Sequence, residues 1–357
     1  MSELHGSVVV PDMPGRRYRQ RYARRAAVLT GLLLALCLSV SVDIATGPSG
    51  MGLERLWQVL IDPGSVPRTE AVIVWDVRLP YALMAVMVGG ALALAGTEMQ
   101  TVLANPLASP FTLGISAAAS FGAALAIVLG WGIPGVPAQY LVSANAFLFA
   151  LMSVALLYML ARWRGFGVES LVLFGIALVF AFNALVALLQ FVASQDTLQQ
   201  LVFWSLGSLA RSSWDKIAAL AAVLAVLLPS ALRQSWAMTA LTLGEDRARS
   251  FGVDVGRLRV LSLLRISLLA GLSVSFVGVI GFIGLVAPHI ARMLVGEDHR
   301  LMLPASALAG ALVLSLASIA SKTLIDGVLI PVGIVTALVG IPFFMAIVIR
   351  TRQAGAV

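Results

Sequence analysis

A histidine and an arginine interrupt an apolar stretch near the C-terminus, GFIGLVAPHIARMLVGEDHR (residues 281–300). Histidine is a common metal ligand and general base, so His289 raises the question of a metal or catalytic site. Such a site on a helix needs further ligands one turn away. The residues three and four positions from His289 are Leu285, Val286, Arg292 and Met293, and the other histidines are His5 and His299. The sequence therefore predicts no metal site and no catalytic centre, and His289 is expected to hydrogen-bond a neighbouring helix.

Polar side chains also occur inside other apolar segments: Glu98, Gln100, Asn183, Gln190 and Arg265. A polar group inside a membrane is costly unless it finds a partner or faces water, so each is a candidate for lining a path. Asn183 and Gln190 are seven residues apart and share one helix face. They either line a translocation path or hydrogen-bond between helices. Gln100, near the inner end of the second span, either lines that path or faces cytoplasmic water. Glu98 and Arg265 have no obvious partner in the sequence.

Composition identifies the class of protein. Of the 357 residues, 60% are hydrophobic and only 11% are charged, whereas a soluble domain has about 25% charged residues. Many apolar runs exceed the ~18 residues that cross a bilayer as a helix, which predicts an all-α polytopic membrane protein. The net charge of +7 comes largely from arginines before the first apolar run, which is typical of membrane topology signals and not of nucleic-acid binding. The single cysteine, Cys37, excludes an intrachain disulfide.

Ten helical spans are predicted from the apolar runs. They lie near residues 26–46, 80–103, 112–131, 143–161, 168–192, 216–233, 258–278, 281–296, 303–321 and 331–349. Most basic loop residues, including Arg162 and Arg164, then fall on the side of both termini, which predicts that both termini are cytoplasmic. Residues 1–25 are expected to form a cytoplasmic basic segment and residues 26–357 a single transmembrane domain. The spacing of Leu53, Leu56, Trp57 and Leu60 predicts a short amphipathic helix on the outer surface.

The segment LTLGEDRARSFGV (residues 241–253) interrupts the apolar pattern with charges. Thr242 and Glu245 are spaced as a capping box, and Gly252 is placed to end a helix. We therefore expect a short charged helix between the sixth and seventh spans. The alternative is an ordinary charged loop.

Four stretches together resemble one family. They are VRLPYALMAVMVGGALALAGTEMQTVLANPLASPFTLGIS (77–116), LTLGEDRARSFGV (241–253), IGFIGLVAPHIARMLVGEDHRLMLP (280–304) and IPVGIVTALVGIPFF (330–344). They are similar to the FecCD/BtuC-like permeases, the membrane subunits of ABC importers for iron-siderophores, haem and cobalamin. The resemblance implies a second permease copy, with a homodimer expected, two cytoplasmic ABC ATPase subunits and a periplasmic substrate-binding protein. It implies that residues 241–253 couple to the ATPase through Gly244, Glu245, Ala248 and Gly252. It also offers a second place for His289, at the inner end near the ATPase contact.

The resemblance further implies residues that dock the binding protein. The family motif RLPR reads RLPY here, so Arg78 is retained and Tyr81 replaces the second arginine. A later family arginine aligns with Lys322, the acidic residue four positions before it is Ser318, and the glutamate of ELPVG is Leu329. Lysine lacks the bidentate fork of arginine, so docking through Arg78, Tyr81 and Lys322 is expected in a weakened or rearranged form.

The resulting hypothesis is a permease of an ABC importer in the bacterial inner membrane. Its expected cargo is a metal chelate, with ferric siderophore first, then haem and then cobalamin. The chain has no GxxxxGK[ST] phosphate loop, so ATP hydrolysis is expected on a separate subunit, and no cofactor is implied. The alternative is a secondary transporter driven by an ion gradient, which would need ionisable residues as ion sites near the middle of the membrane.

Overall fold

The computed structural model describes residues 14–47, 51–161, 168–325 and 327–354. Residues 1–13 of the predicted basic N-terminal segment lie outside the described residues, as do Arg162 and Arg164. The described chain is helical, which confirms the predicted all-α class.

The helices follow one another in this order: α1 (Pro14–Ala45), α2 (Leu53–Ile61), α3 (Arg68–Val72), a π-helical segment (Ile73–Arg78), α4 (Leu79–Val102), α5 (Ile115–Leu129), α6 (Ala138–Ala161), α7 (Val168–Val192), α8 (Gln195–Ser205), a 3-10 turn (Leu209–Arg211), α9 (Trp214–Arg233), α10 (Ser235–Leu241), α11 (Glu245–Ser250), α12 (Val255–Val277), α13 (Ile283–Val295), α14 (His299–Thr323) and α15 (Val332–Ala354).

Ten of these helices match the predicted spans. Within the described residues, α1, α4, α6, α7, α9, α12 and α14 supply segments long and apolar enough to cross a membrane. The apolar parts of α5, α13 and α15 are shorter, and they correspond to the remaining predicted spans. The first helix starts at Pro14, well before residue 26, so it continues into the predicted basic segment. The amphipathic helix predicted around Trp57 is α2, in which Leu56 is buried and Trp57 is exposed.

The centre of the fold is α4, most of which is buried. It packs against α14, α12, α13 and α9. Its small residues allow this: a side chain on Gly89 would overlap the backbone of Gly310 in α14, and one on Gly96 would overlap the backbone of Gly284 in α13. Membrane helices associate through close packing of small residues because lipid offers no hydrophobic driving force between them.

The two ends of the bundle differ, and we name each by a landmark. The Lys322 end contains the C-termini of α1 and α14 and the start of α4, joined by the contact of Lys322 with Asp43. The indole of Trp214 at the start of α9 donates to the carbonyl of Trp75 (3.0 Å), which places the start of α9 at the same end. The opposite end, the α11 end, contains α10, α11 and the C-terminus of α4.

The contact of α4 with α13 predicts the effect of added volume. A Cβ on Gly96 would come 2.7 Å from the Cα of Gly284, whereas a Cβ on Gly90 meets only the carbonyl oxygen of Ala307 at 3.5 Å, an ordinary contact. We expect Gly96→Ala to destabilise the protein by about 1–3 kcal/mol through overpacking. Gly90→Ala is the matched control and should leave stability unchanged or slightly raised, since alanine favours the helix. Thermal unfolding in detergent measures both, and equal midpoints for the two variants would contradict the packing described.

Candidate functional site

A buried ion pair joins the first and ninth spans at the Lys322 end. The Nζ of Lys322 lies 2.7 Å from Oδ1 of Asp43, and it also donates to the Asp43 carbonyl oxygen at 2.9 Å. The hydroxyl of Ser318 donates to both carboxylate oxygens at 2.8 Å. The Asp43 side chain is 0% exposed, so its charge is stable there only because these donors replace water.

Arg78 and Tyr81 lie beside this pair. One guanidinium nitrogen of Arg78, Nη1, donates to the carbonyl oxygens of Ile44 and Ala45, both at 3.0 Å. The Tyr81 hydroxyl is 3.2 Å from the hydroxyl of Ser321, and Lys322 Nζ lies 4.5 Å from the centre of the tyrosine ring. The structure therefore brings the three predicted docking residues together, with their side chains largely buried and engaged within the chain.

Sequence reasoning missed Asp43. The serine at position 318 left the family's acidic position unfilled, and the structure shows the carboxylate arriving from α1 instead. The available signal was that Asp43 is the first acidic residue after the first apolar run. The helix pairing that makes it a partner of Lys322 is not visible in the sequence.

A cavity of about 720 Å³ opens beside these residues. Arg78, Tyr81 and Lys322 contribute to its wall together with the predicted motif position Leu329. We call it the Lys322 cavity. Its wall also includes Thr46, Gly47, Ile73, Val77, Thr323, Gly327 and Val328.

A second buried ion pair crosses the bundle between α4 and α12. Arg265 Nη2 lies 2.7 Å from Glu98 Oε2, and Arg265 Nε donates to both carboxylate oxygens at 2.8 Å. Arg265 Nη2 also donates to the side-chain oxygens of Gln234 and Ser262, both at 3.0 Å. The sequence offers no obvious partner for either charge, and the structure supplies one: Glu98 and Arg265, 167 residues apart, bind each other. Their mutual neutralisation explains why both charges are tolerated in the core.

Gln100 and His299 hold the C-terminus of α4 to three other helices. Gln100 Oε1 accepts a hydrogen bond from Arg292 of α13 at 3.2 Å, while its Nε2 has no partner among the described residues. His299 of α14 lies between the hydroxyls of Thr101 in α4 (2.7 Å) and Thr239 in α10 (3.2 Å). Sequence reasoning assigned no role to His299, because nothing in its neighbourhood indicates two threonines on other helices.

Asn183 and Gln190 lie apart from Gln100. Asn183 is exposed and Gln190 is half-buried on α7, which packs against α5 and α6. Neither side chain forms a hydrogen bond with another described residue. The alternative interpretation was that these two amides hydrogen-bond to neighbouring helices. They form no such bond with any described residue.

The charged helix predicted at residues 241–253 is α11. Gly244 precedes it with φ 107° and Gly252 follows it with φ 82°, both in a region that favours glycine. Glu245 pairs with Arg249 at 2.6 Å and with Arg259 of α12 at 3.2 Å. Ala248 is fully buried, so it anchors the helix to the bundle.

The predicted capping box is wrong, although the position of Gly252 as the helix stop is confirmed. The hydroxyl of Thr242 donates to the Thr239 carbonyl at the end of α10. The residue before α11 is Gly244, and it has no side chain that could cap. Glu245 is the first residue of α11, whereas a capping box needs the glutamate at the third helical position. Its carboxylate pairs with Arg249 and Arg259 instead.

His289 makes an aromatic contact. Its ring packs edge-on against Phe343 of α15, with centroids 6.2 Å apart. The predicted hydrogen bond to a neighbouring helix is not formed with any described residue.

The Glu98–Arg265 pair predicts non-additive mutations. Arg265→Met leaves an uncompensated buried carboxylate and should cost about 3–5 kcal/mol of stability. Glu98→Leu leaves an uncompensated guanidinium and should cost a similar amount. The double variant removes both charges and should be clearly more stable than either single variant. Thermal unfolding of the three variants in detergent checks this, and costs that simply add would refute the coupling.

The comparisons with known proteins agree with this architecture. A model of the FecCD transport family matches residues 31–350. The hemin transport system permease protein HmuU of Yersinia pestis is 35% identical over 328 residues, which cover 90% of this chain and 96% of that protein. The vitamin B12 import system permease protein BtuC of Vibrio cholerae is 34% identical over 337 residues, which cover 94% of this chain and 97% of that protein. A solved structure of a transporter assigned to the metal-chelate type of ABC transporters, in an inward-facing conformation, superposes with a TM-score of 0.79 at 31% identity and covers 91% of this chain and 99% of that one. With matches that span nearly its whole length, the chain belongs to the FecCD transport family of permeases.

Proposed function

We propose that this permease is the membrane subunit of an ABC importer in the bacterial inner membrane and that it moves a metal chelate inward. The observation that carries the proposal is α11, a short helix held against one end of a buried transmembrane bundle. A transporter driven by an attached ATPase needs such an element, because work done outside the membrane must enter through a rigid contact. Family membership supports the same conclusion.

The position of α11 suits this role. Glu245 ties α11 to Arg259 of α12 at 3.2 Å. The guanidinium of Arg259 also donates to the Val102 carbonyl at the end of α4, at 3.4 Å. A displacement of α11 therefore acts directly on α12 and α4. In this proposal Gly244 and Gly252 set the limits of the coupling helix, Glu245 and Ala248 hold it, and the α11 end faces the cytoplasm.

The Lys322 end then faces the periplasm. We propose that a substrate-binding protein docks there near Arg78, Tyr81 and Lys322. In this proposal the three side chains, which line the Lys322 cavity, support the docking surface from within, and more exposed groups around them contact the partner. The second permease copy would complete the translocation path along faces such as that of α7, where Asn183 is exposed. Gln100 is assigned to the cytoplasmic end of the same path, where its buried side chain, bonded to Arg292, would support the wall.

The two domains proposed are residues 1–25, a cytoplasmic basic segment, and residues 26–357, the permease domain. The order of cargoes remains ferric siderophore, haem and cobalamin. Relatives of nearly equal identity are named for hemin and for vitamin B12, so overall identity does not separate these cargoes. An ion-driven mechanism has no support, since the charges that it would use, Glu98 and Arg265, neutralise each other.

Uptake into vesicles tests the function. The permease is reconstituted into vesicles together with its ATPase. The binding protein and chelate are added on the side of the membrane that the Lys322 end faces, and ATP is supplied on the side that the α11 end faces. We expect chelate transport that requires ATP hydrolysis and is unaffected by collapsing proton and sodium gradients. Transport that persists without ATP and stops when a gradient is collapsed would overturn the proposal.

Two exposed apolar residues predict the ATPase contact. Leu243 and Phe251 flank α11 and are 54% and 56% exposed. A few large side chains, aromatic ones above all, carry most of the binding energy of a protein interface. We expect Phe251→Ala to weaken ATPase binding by roughly tenfold, equivalent to about 1.4 kcal/mol. Trp57→Ala, on α2 toward the opposite end, removes an exposed aromatic of similar size and should leave ATPase binding unchanged. Affinity measured in detergent decides; an equal loss in both variants would contradict the assignment of this face.

A further inference from the structure

A second cavity at the Lys322 end, also of about 720 Å³, is separate from the Lys322 cavity and shares no lining residue with it. It lies where the ends of α5, α6, α8, α9 and α12 meet. We call it the Arg211 cavity. Its wall is formed by Ile127, Val142, Ser143, Asp196, Gln199, Gln200, Phe203, Trp204, Arg211, Lys216 and Ser275. This volume lies within the ~300–1,000 Å³ that small-molecule sites occupy.

Two cations stand next to each other in this wall. Arg211 ends the 3-10 turn, and Lys216 lies in the first turn of α9. The Lys216 ammonium donates to the backbone carbonyl oxygen of Arg211 at 2.8 Å. This hydrogen bond holds the ammonium close to Arg211. The ion pairs found among the described residues use other cations. Both charges therefore share one cavity without a carboxylate bound to either in the described chain.

The guanidinium of Arg211 also has unused hydrogen-bonding capacity. Its Nη1 is buried and has no hydrogen-bond partner among the described residues. Burial disfavours the charged form and lowers the pKa of Arg211 from its ordinary value. A buried donor without a partner costs free energy that an incoming acceptor recovers.

The rest of the wall suits an organic anion. Gln199, Gln200 and Ser143 offer neutral hydrogen-bonding groups. Phe203, which is 52% exposed, offers aromatic surface, and the largely buried Trp204 adds a smaller part of the wall. Asp196 is the single carboxylate of the wall, against two cations. Cations bind a carboxylate through charge-assisted hydrogen bonds, and aromatic side chains contact an apolar ring. The wall is therefore suited to an aromatic or apolar molecule that carries a carboxylate.

We propose that the Arg211 cavity binds an anionic group, a carboxylate or oxyanion, carried by a solute with an apolar or aromatic body. Arg211 and Lys216 bind the anion, and the aromatic residues contact the body. The identity of the solute rests on the proposed import function. Within that function, the cavity is an anion-selective site on the entry side of the permease. The same chemistry would accept an anionic lipid headgroup, so the experiment separates these two sources.

The test measures binding to the full-length permease in phosphatidylcholine nanodiscs without ATP. The probe is 1-naphthoate, and its neutral counterpart is 1-naphthamide, which has the same ring and no charge. Quenching of tryptophan fluorescence reports binding. We expect saturable binding of naphthoate that is at least tenfold tighter than that of naphthamide.

Charge variants locate the site. Arg211→Gln and Lys216→Gln should each weaken naphthoate binding about tenfold, and the double variant should lose the preference for naphthoate over naphthamide. Arg211→Lys and Lys216→Arg keep the charge and should retain most of the affinity. Arg55→Gln removes a cation that is paired with Glu70 outside the cavity wall, and it should change nothing. Equal binding of the two probes by the unaltered protein, or unchanged naphthoate affinity in the double variant, would overturn the proposal.

Nanodiscs that contain phosphatidylglycerol identify the source of the anion. If this lipid weakens naphthoate binding in the unaltered protein but not in the double variant, lipid headgroups occupy the cavity; if it does not, the cavity selects soluble anions. Should the glutamine variants fail to fold, the comparison of naphthoate with naphthamide on the unaltered protein still decides. Because binding is measured without ATP, its loss is distinguishable from a failure of ATP-driven uptake.

Discussion

The low polarity of a membrane interior is the constraint on which this structure depends. A charge there must be neutralised within the protein, and the pair of Glu98 with Arg265 meets this requirement with direct contacts of 2.7–2.8 Å. Gln234 and Ser262 satisfy further donors of Arg265. The arrangement connects α4 with α12 and with the junction of α9 and α10. Because none of these polar groups can be satisfied alone, the helices that carry them are fixed relative to one another.

Around this pair, α4 organises the rest of the bundle. Small residues let it approach α13 and α14 at backbone distance, through Gly96 and Gly89. Its N-terminus reaches the Asp43–Lys322 pair through Tyr81, which contacts Ser321 and the Lys322 ammonium. Its C-terminus reaches α14 through Thr101 and His299. A single rigid helix thus touches the polar clusters at both ends of the molecule.

The two ends are built for different contacts. At the α11 end a well-bounded helix is ion-paired to α12 and leaves Leu243 and Phe251 exposed beside it. At the Lys322 end there are two cavities, one beside Lys322 and one that contains Arg211 and Lys216. The α11 end therefore offers exposed apolar side chains on a short, firmly held helix, whereas the Lys322 end offers two separate cavities.

The sequence by itself determined the membrane class, the approximate positions of ten spans and the location of the charged helix between the sixth and seventh. These follow from local properties: the length of apolar runs, glycines at helix ends and charges in loops. Gly252 was predicted correctly because a helix stop depends on its own backbone angle. The capping box failed because α11 begins only after Gly244, which leaves Glu245 free to pair with Arg249 and with Arg259 of α12. The partners of Glu98, Lys322 and His299 were decided only by the tertiary structure. Each lies on a helix distant in the chain, and spacing along one helix carries no information about which other helix will face it.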